Sequence, residues 1–378
     1  MTLLLRLLVS WRLFRWRKKL KTDRGFSLRV RHPKKFLRRL EQQNTAYVTL
    51  RWYAELPGVL DGEIKDDVDI LVEHGSLAKL AAALPWPNFG SKLSKVKFDV
   101  YSDSGRSGLS YRHMPYYPPY RARELLDSRV KDSRGWYRIA PRHYLQALAY
   151  HLTYHKRLSS GMPLEQGQAP STSVRAKKDY LALFRAEALR EAGAAPSWAS
   201  LLEAHQWLHA QGWAMPFDLI RRWPDQDIWL ERLYQYECEC LEALSAARQV
   251  PQDMVILVTR EEARMAACEP EVLGFLSSVG TLRESRELSP EACDRLLWWA
   301  RGGNWLATKE YRLSKPQLSI QCQLPDGATE HKESLRKRLS GRYGKQNWLH
   351  GTDDLHEAIF YLALIDGTYL NAAQGVGK

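Results

Sequence analysis

Lys65-Asp66-Asp67-Val68-Asp69-Ile70-Leu71-Val72 decides how the chain is read. Two carboxylates, one residue apart, stand at the mouth of an apolar, β-branched run. In a strand, residues i and i+2 share a face. Asp67 and Asp69 therefore project together, while Val68 and Ile70 enter a core on the other side. A second run of the same kind, Val96-Lys97-Phe98-Asp99-Val100-Tyr101, carries one more acidic residue. If the two strands are neighbours, Asp67, Asp69 and Asp99 converge. Such a trio can hold divalent cations, Mg²⁺ or Mn²⁺, about 4 Å apart for in-line attack on a phosphate.

Working outward, residues 33–43 read as a helix with Phe36, Leu37 and Leu40 on one side. Residues 46–53 read as a strand, 56–62 as a Pro/Gly loop and 76–84 as a short helix. The order helix, strand, loop, acidic strand, helix, acidic strand is that of a small α/β domain with a mixed sheet.

These residues resemble the nucleotidyltransferase (polymerase-β-like) superfamily over about residues 35–105. The resemblance implies that Asp67 and Asp69 bind metal, that Asp99 helps to activate the attacking hydroxyl, and that the donor is a nucleoside triphosphate. The family's Gly-Ser before the acidic strand, which cradles the triphosphate, has no counterpart in Leu60-Asp61-Gly62-Glu63-Ile64-Lys65.

Residues 103–135 are loop-rich. Tyr111, Tyr116, Tyr117 and Tyr120 alternate with Arg112, Arg121 and Arg123, a composition suited to a wall for a sugar or a base, or to a proline-stiffened surface loop. Residues 140–247 are mostly helical. Within the helix expected over 141–156, His151 and His155 share a face at i, i+4 and Lys156 follows. They are candidate substrate or phosphate contacts. The glutamate of the H-E-x-x-H zinc pattern is absent. Residues 159–173 are rich in Gly, Pro, Ser and Gln and read as an exposed loop.

From Pro251 the pattern becomes β-α-β-α-β-α, the order of a ferredoxin-like α/β sandwich. Near the end stands Asn347-Trp348-Leu349-His350-Gly351-Thr352-Asp353. It resembles the N-x-x-H-G-S-D signature of nucleoside diphosphate kinases, and the likeness covers about 252–366. It implies that His350 is a phosphorylated nucleophile, that Asn347 contacts the nucleotide sugar, and that Arg336 or Arg338 binds phosphate. A neutral imidazole can attack phosphorus if its other nitrogen is held by an acceptor. The family's lysine after the first strand is Thr259 here, with Arg260 beside it, and its orienting glutamate is Tyr361. Glu357 or a carbonyl is then the expected acceptor.

The formal net charge of +13 is an N-terminal property. Residues 1–40 hold fourteen Lys/Arg and one acidic residue, Asp23, so the remainder sums to zero and nucleic acid is not implied by the body of the chain. Leu, Trp and Phe mixed with Arg and Lys over residues 1–20 suit a helix lying on an anionic membrane surface. The segment is too short and too interrupted to span one, and it lacks the cleavage site of a secretory signal. The five scattered cysteines form no zinc pattern and fit reduced thiols in a cytoplasmic setting.

The expected architecture is therefore an α/β multidomain chain. It comprises a basic arm (1–32), a nucleotidyltransferase-like mixed sheet (33–135), a helical domain (136–250) and a nucleoside-diphosphate-kinase-like α/β sandwich (251–378). The expected function is metal-dependent phosphoryl or nucleotidyl transfer to a sugar or sugar-phosphate in cell-surface glycan assembly, at the inner face of the membrane. An RNA- or tRNA-directed nucleotidyltransferase and an inactive nucleotide-binding scaffold are the alternatives.

Overall fold

The computed structural model describes residues 3–21, 25–86, 88, 95–105, 108–112, 114–169, 178–221, 223, 225–300, 316–325, 328–345 and 348–369. Contacts divide the chain into two compact units, Met1–Ala214 and Met215–Lys378. The helices expected to form a middle domain over 136–250 are divided between the two units.

The first unit runs α1 (Leu3–Lys21), β1 (Phe26–Val30), α2 (Pro33–Gln42), β2 (Tyr47–Thr49), α3 (Leu56–Asp61), β3 (Asp67–Val72), α4 (Leu77–Ala83), β4 (Val96–Ser102), α5 (Pro119–Asp127), β5 (Val130–Lys131), β6 (Tyr137–Arg138), α6 (Pro141–Tyr150), α7 (Tyr180–Ala192) and α8 (Leu201–Ala210). Its six-stranded mixed sheet has the order β1-β4-β3-β2-β6-β5. The two acidic strands are parallel neighbours, with Asp69 opposite Asp99 and Asp67 opposite Lys97.

Strand alternation separates the two faces of this sheet. Phe98 meets Phe36 of α2, with ring centroids 5.3 Å apart, and Phe26 meets Trp16 of α1 at 5.0 Å. Both lie opposite to the face that carries Asp99. Helices α1, α2 and α4 thus cover the apolar face and leave the carboxylates on the other.

Several local outcomes differ from the sequence expectations: the strand expected over 46–53 is confined to Tyr47–Thr49, and the loop-rich stretch 103–135 contains α5. Residues 56–61 form the helix α3 rather than a loop. Pro57 lies in its first turn, where it is pre-organised and loses no hydrogen bond, and Gly62 closes it at φ 81°. The expected helix over 141–156 is α-helical only to Tyr150. Residues His151–Lys156 continue as a π-helical turn and Arg157–Ser160 as a 3₁₀ turn.

The second unit runs α9 (Phe217–Ile220), α10 (Ile228–Arg248), β7 (Met254–Arg260), α11 (Glu261–Met265), α12 (Glu269–Val279), β8 (Thr281–Glu287), α13 (Pro290–Trp299), β9 (Pro316–Gln323), α14 (Ala328–Tyr343), β10 (Leu349–Gly351) and α15 (Leu355–Asp366). The strands form an antiparallel sheet of order β10-β7-β9-β8. Period-2 alternation along β7 sends Ile256 and Val258 into one core with α13 and α15, and Val255 and Leu257 into another with α12 and α14. Ser289 caps α13 as its sequence signals, accepting the Ala292 amide at 3.2 Å.

Candidate functional site

Eight of the residues singled out by sequence line one cavity of about 260 Å³ in the first unit: Asp67, Asp69, Asp99, Tyr111, Tyr116, His151, His155 and Lys156. The parallel β3–β4 pairing supplies the carboxylates, and the π-helical turn supplies the two histidines and the lysine. A π-turn widens the helix by one residue and recurs at functional sites.

Two cations missed by sequence organise this face. Arg51 Nη2 meets Asp69 Oδ2 at 2.5 Å. Lys97 Nζ lies 2.7 Å from Asp67 Oδ2 and 2.8 Å from Asp99 Oδ2. Ser27 Oγ donates to the other Asp99 oxygen at 2.6 Å. Burial raises the Asp69 carboxyl, Arg51 opposes the rise and the Asp99 and Asp67 charges add to it; the net result is about 6. Burial acts to lower the Lys97 pKa, but hydrogen bonds to Asp67 and Asp99 outweigh it and hold the ammonium above its ordinary value.

From Asp69 a polar chain runs inward. Arg51 Nη1 donates to the Tyr116 hydroxyl, which donates to His151 Nδ1 at 2.7 Å. Arg51 is also 3.4 Å from His151 Nδ1. Arginine can only donate, so Nδ1 accepts and the His151 proton sits on Nε2. That nitrogen is buried and has no partner among the described residues, in a side chain only 3% exposed. Burial first, and the Arg51 charge next, push both His151 and His155 well below the usual histidine range. Both rings are neutral at pH 7.

The rim is aromatic and basic. Lys156 Nζ sits 4.6 Å from the Tyr180 ring centroid, and Trp52 lies 6.4 Å from Tyr180. Lys178 Nζ pairs with Asp66 at 2.6 Å. Trp52 and Arg157 hold positive φ, 57° and 51°, and such strained backbone gathers at functional sites. From the tyrosine-rich loop, Tyr111 and Tyr116 line the same cavity. Tyr116 and Tyr117 are buried among Tyr101, Tyr150 and His155.

The expected Mg²⁺ or Mn²⁺ trio is not assembled in this arrangement. No set of three or more Asp, Glu, His or Cys groups among the described residues stands ready to hold a metal ion. Asp69 faces the Arg51 guanidinium, and the Lys97 ammonium separates Asp67 from Asp99. With those cations in place, the donor set does not fit a divalent ion.

The second unit holds His350 differently. It lies in β10 opposite Val258 and is only 5% exposed. Tyr361, the residue in place of the expected glutamate, puts its hydroxyl 2.9 Å from His350 Nε2. Glu357 Oε2 accepts the Asp353 amide at 2.7 Å. Arg338 is engaged with Glu271 at 2.6 Å, alongside Arg342 and Tyr343, so it is drawn to α12 rather than to the His350 loop. Arg336 is half-buried on α14. Two cations missed by sequence reach this loop, Arg221, which meets Asp354 at 2.5 Å, and Lys332. The almost fully buried Lys332 ammonium donates to the Thr352 carbonyl and meets Asp353 Oδ1 at 2.6 Å. Thr259 binds Glu269 at 2.8 Å. Asn347 lies outside the described residues.

No helix among the described residues is long and apolar enough to cross a membrane. No protein-family model, no curated protein and no solved structure matches the chain.

Proposed function

We propose that the carboxylate face of the first unit is a phosphoryl- or nucleotidyl-transfer site acting on a hydroxyl of a sugar or sugar-phosphate. The reading is carried by the convergence of Asp67, Asp69, Asp99, His151, His155 and Lys156 on one cavity, from three segments spread over residues 67–156. The parallel β3–β4 pairing agrees with the nucleotidyltransferase-like reading.

The chemistry follows from charge. An acceptor hydroxyl attacks the phosphorus of a nucleoside triphosphate. Its proton passes to a carboxylate, Asp99 being the one flanked by Ser27 and Lys97. The new oxygen–phosphorus bond forms as the bond to the leaving phosphate oxygen breaks, and that oxygen keeps the electron pair. Lys97, Lys156 and Lys178 supply positive charge where negative charge accumulates. The neutral His151 Nε2–H is a further donor to substrate. Trp52 and Tyr180 offer ring faces for a base or a sugar.

The β10-β7-β9-β8 order and the Tyr361-held imidazole favour a second, kinase-like reading for the other unit. The burial of His350 weighs against direct attack there. Hydrogen exchange with and without ATP separates the two. Protection across 66–70, 97–101 and 150–156 is expected; protection confined to 348–354 would overturn the proposal.

A further inference from the structure

Helix α1 has two unlike sides. Val9, Arg12 and Trp16 are buried. Arg12 Nη1 donates to the Ala81 and Leu84 carbonyls at 2.5 and 2.7 Å and Nη2 to Pro85 at 3.2 Å, so it caps the end of α4. Trp16 packs on Phe26. The arm is thus a docked helix rather than a loose tail. At 100° per residue, Leu4, Leu7, Trp11 and Phe14 fall within one narrow stripe on the opposite side. All four are exposed, Leu4 by 78%, Leu7 by 61%, Trp11 by 48% and Phe14 by 69%.

Charge says what such a stripe meets. Exposed Arg6 and Arg17 flank it on one side and Arg15 on the other, and the described helix contains no acidic residue. Arg15 lies 5.0 Å from the Trp11 ring. Helix α2 occupies the same face of the sheet and adds exposed Lys34, Lys35 and Arg38. A hollow of about 830 Å³ on α2 is lined mostly by basic residues, Arg31, His32, Lys35, Arg38 and Arg39, together with Lys34, which pairs with Asp61 at 2.5 Å. Apart from Lys34, which Asp61 already pairs, a buried protein partner would have to neutralise these cations. An anionic bilayer provides an apolar layer for the stripe and phosphate groups for the arginines, the two-signal combination that membrane anchoring needs.

We infer that the outer face of α1, with the exposed basic residues of α2 on the same side of the sheet, docks the first unit onto an anionic phospholipid surface, Leu4, Leu7, Trp11 and Phe14 entering the headgroup–acyl boundary. The carboxylate face is the opposite face of the same sheet. Docking therefore leaves the cavity turned to water, and its substrates arrive from the aqueous side. The inference stands on α1 and α2 alone and is independent of the transfer chemistry.

The test uses the full chain and sedimentation with two kinds of vesicle, phosphatidylcholine alone and phosphatidylcholine with about one third phosphatidylglycerol. Binding to the anionic vesicles only, weakened by salt and reduced about tenfold or more in Leu7→Glu/Phe14→Glu, is the expected result. Both positions are exposed, so thermal unfolding of that variant should match the parent. Three results would overturn the inference: no binding to either vesicle, equal binding to both, or binding that ignores the double substitution. The last, joined to equal retention on RNA, would identify a general polyanion surface instead.

Discussion

Asp69 on β3 is the register partner of Asp99 on β4, and the two carboxylates share one face of the first sheet. Asp69 is matched to Arg51, and Asp99 shares Lys97 with Asp67. The site is a mesh of alternating charges, and its variants should show it.

Asp69→Asn leaves the Arg51 guanidinium buried against a neutral amide. Loss of one partner of a buried pair costs about 3–5 kcal/mol. Urea unfolding should reveal a loss in that range, largely recovered in Asp69→Asn/Arg51→Met. An unchanged midpoint in the single variant would mean that the pair is solvated.

Lys97→Met removes the ammonium on which Asp67 and Asp99 converge. Two carboxylate oxygens are then left facing each other without a counter-ion, a suitable seat for a hard divalent cation. Mn²⁺ binding, followed by electron paramagnetic resonance, should tighten about tenfold or more relative to the parent. Equal or weaker binding would show that the lysine does not compete for that position.

The pH dependence has two opposing parts. His151 and His155 are depressed in the folded state, so they bind fewer protons there than when unfolded. Their stabilisation is present above the unfolded pKa of about 6.5 and is lost as pH falls through it. Asp69 is raised to about 6, so the folded state binds its proton more tightly and stability falls as pH rises from about 4 to that value. His151→Gln/His155→Gln should therefore flatten the loss of stability between about pH 7 and 5. An unaltered slope would mean that neither ring is neutral in the fold.

Tyr361→Phe deletes the hydroxyl beside His350 Nε2. A hydrogen bond of this kind contributes about 1 kcal/mol. Nitrogen chemical shifts of the imidazole should report a changed tautomer balance at His350 and little change at His151. No change at His350 would place its tautomer under other control.

The acidic strands are legible because period-2 alternation survives without any tertiary information: Val68, Ile70, Phe98 and Val100 all turn inward. The same i, i+2 rule places Lys97 beside Asp99, so that signal was present in the sequence. Arg51 is a different case. Its position opposite Asp69 depends on the loop after β2, where Trp52 takes a positive φ that no local pattern announces. Helix α3 is hidden because Leu-Pro-Gly-Val-Leu-Asp has the composition of a turn. The π-turn is hidden because His-Leu-Thr-Tyr-His-Lys carries no glycine or proline to mark a change of pitch. In the second unit the structure adds the short helix α11 and the edge strand β10 to the alternation of strands and helices legible in the pattern. The partners of His350 are not legible there, since a buried Lys332 breaks the rule that lysines stay at the surface.

The central claim is most directly tested by transfer of label from α- or γ-labelled ATP to a panel of sugars and sugar-phosphates. The chain and two variants, Asp99→Asn and His350→Ala, are compared. Labelled product from the parent and from His350→Ala, lost in an Asp99→Asn protein of unchanged thermal stability, is the predicted result. Product retained in Asp99→Asn, or lost only in His350→Ala with label on that histidine in the parent, would contradict it.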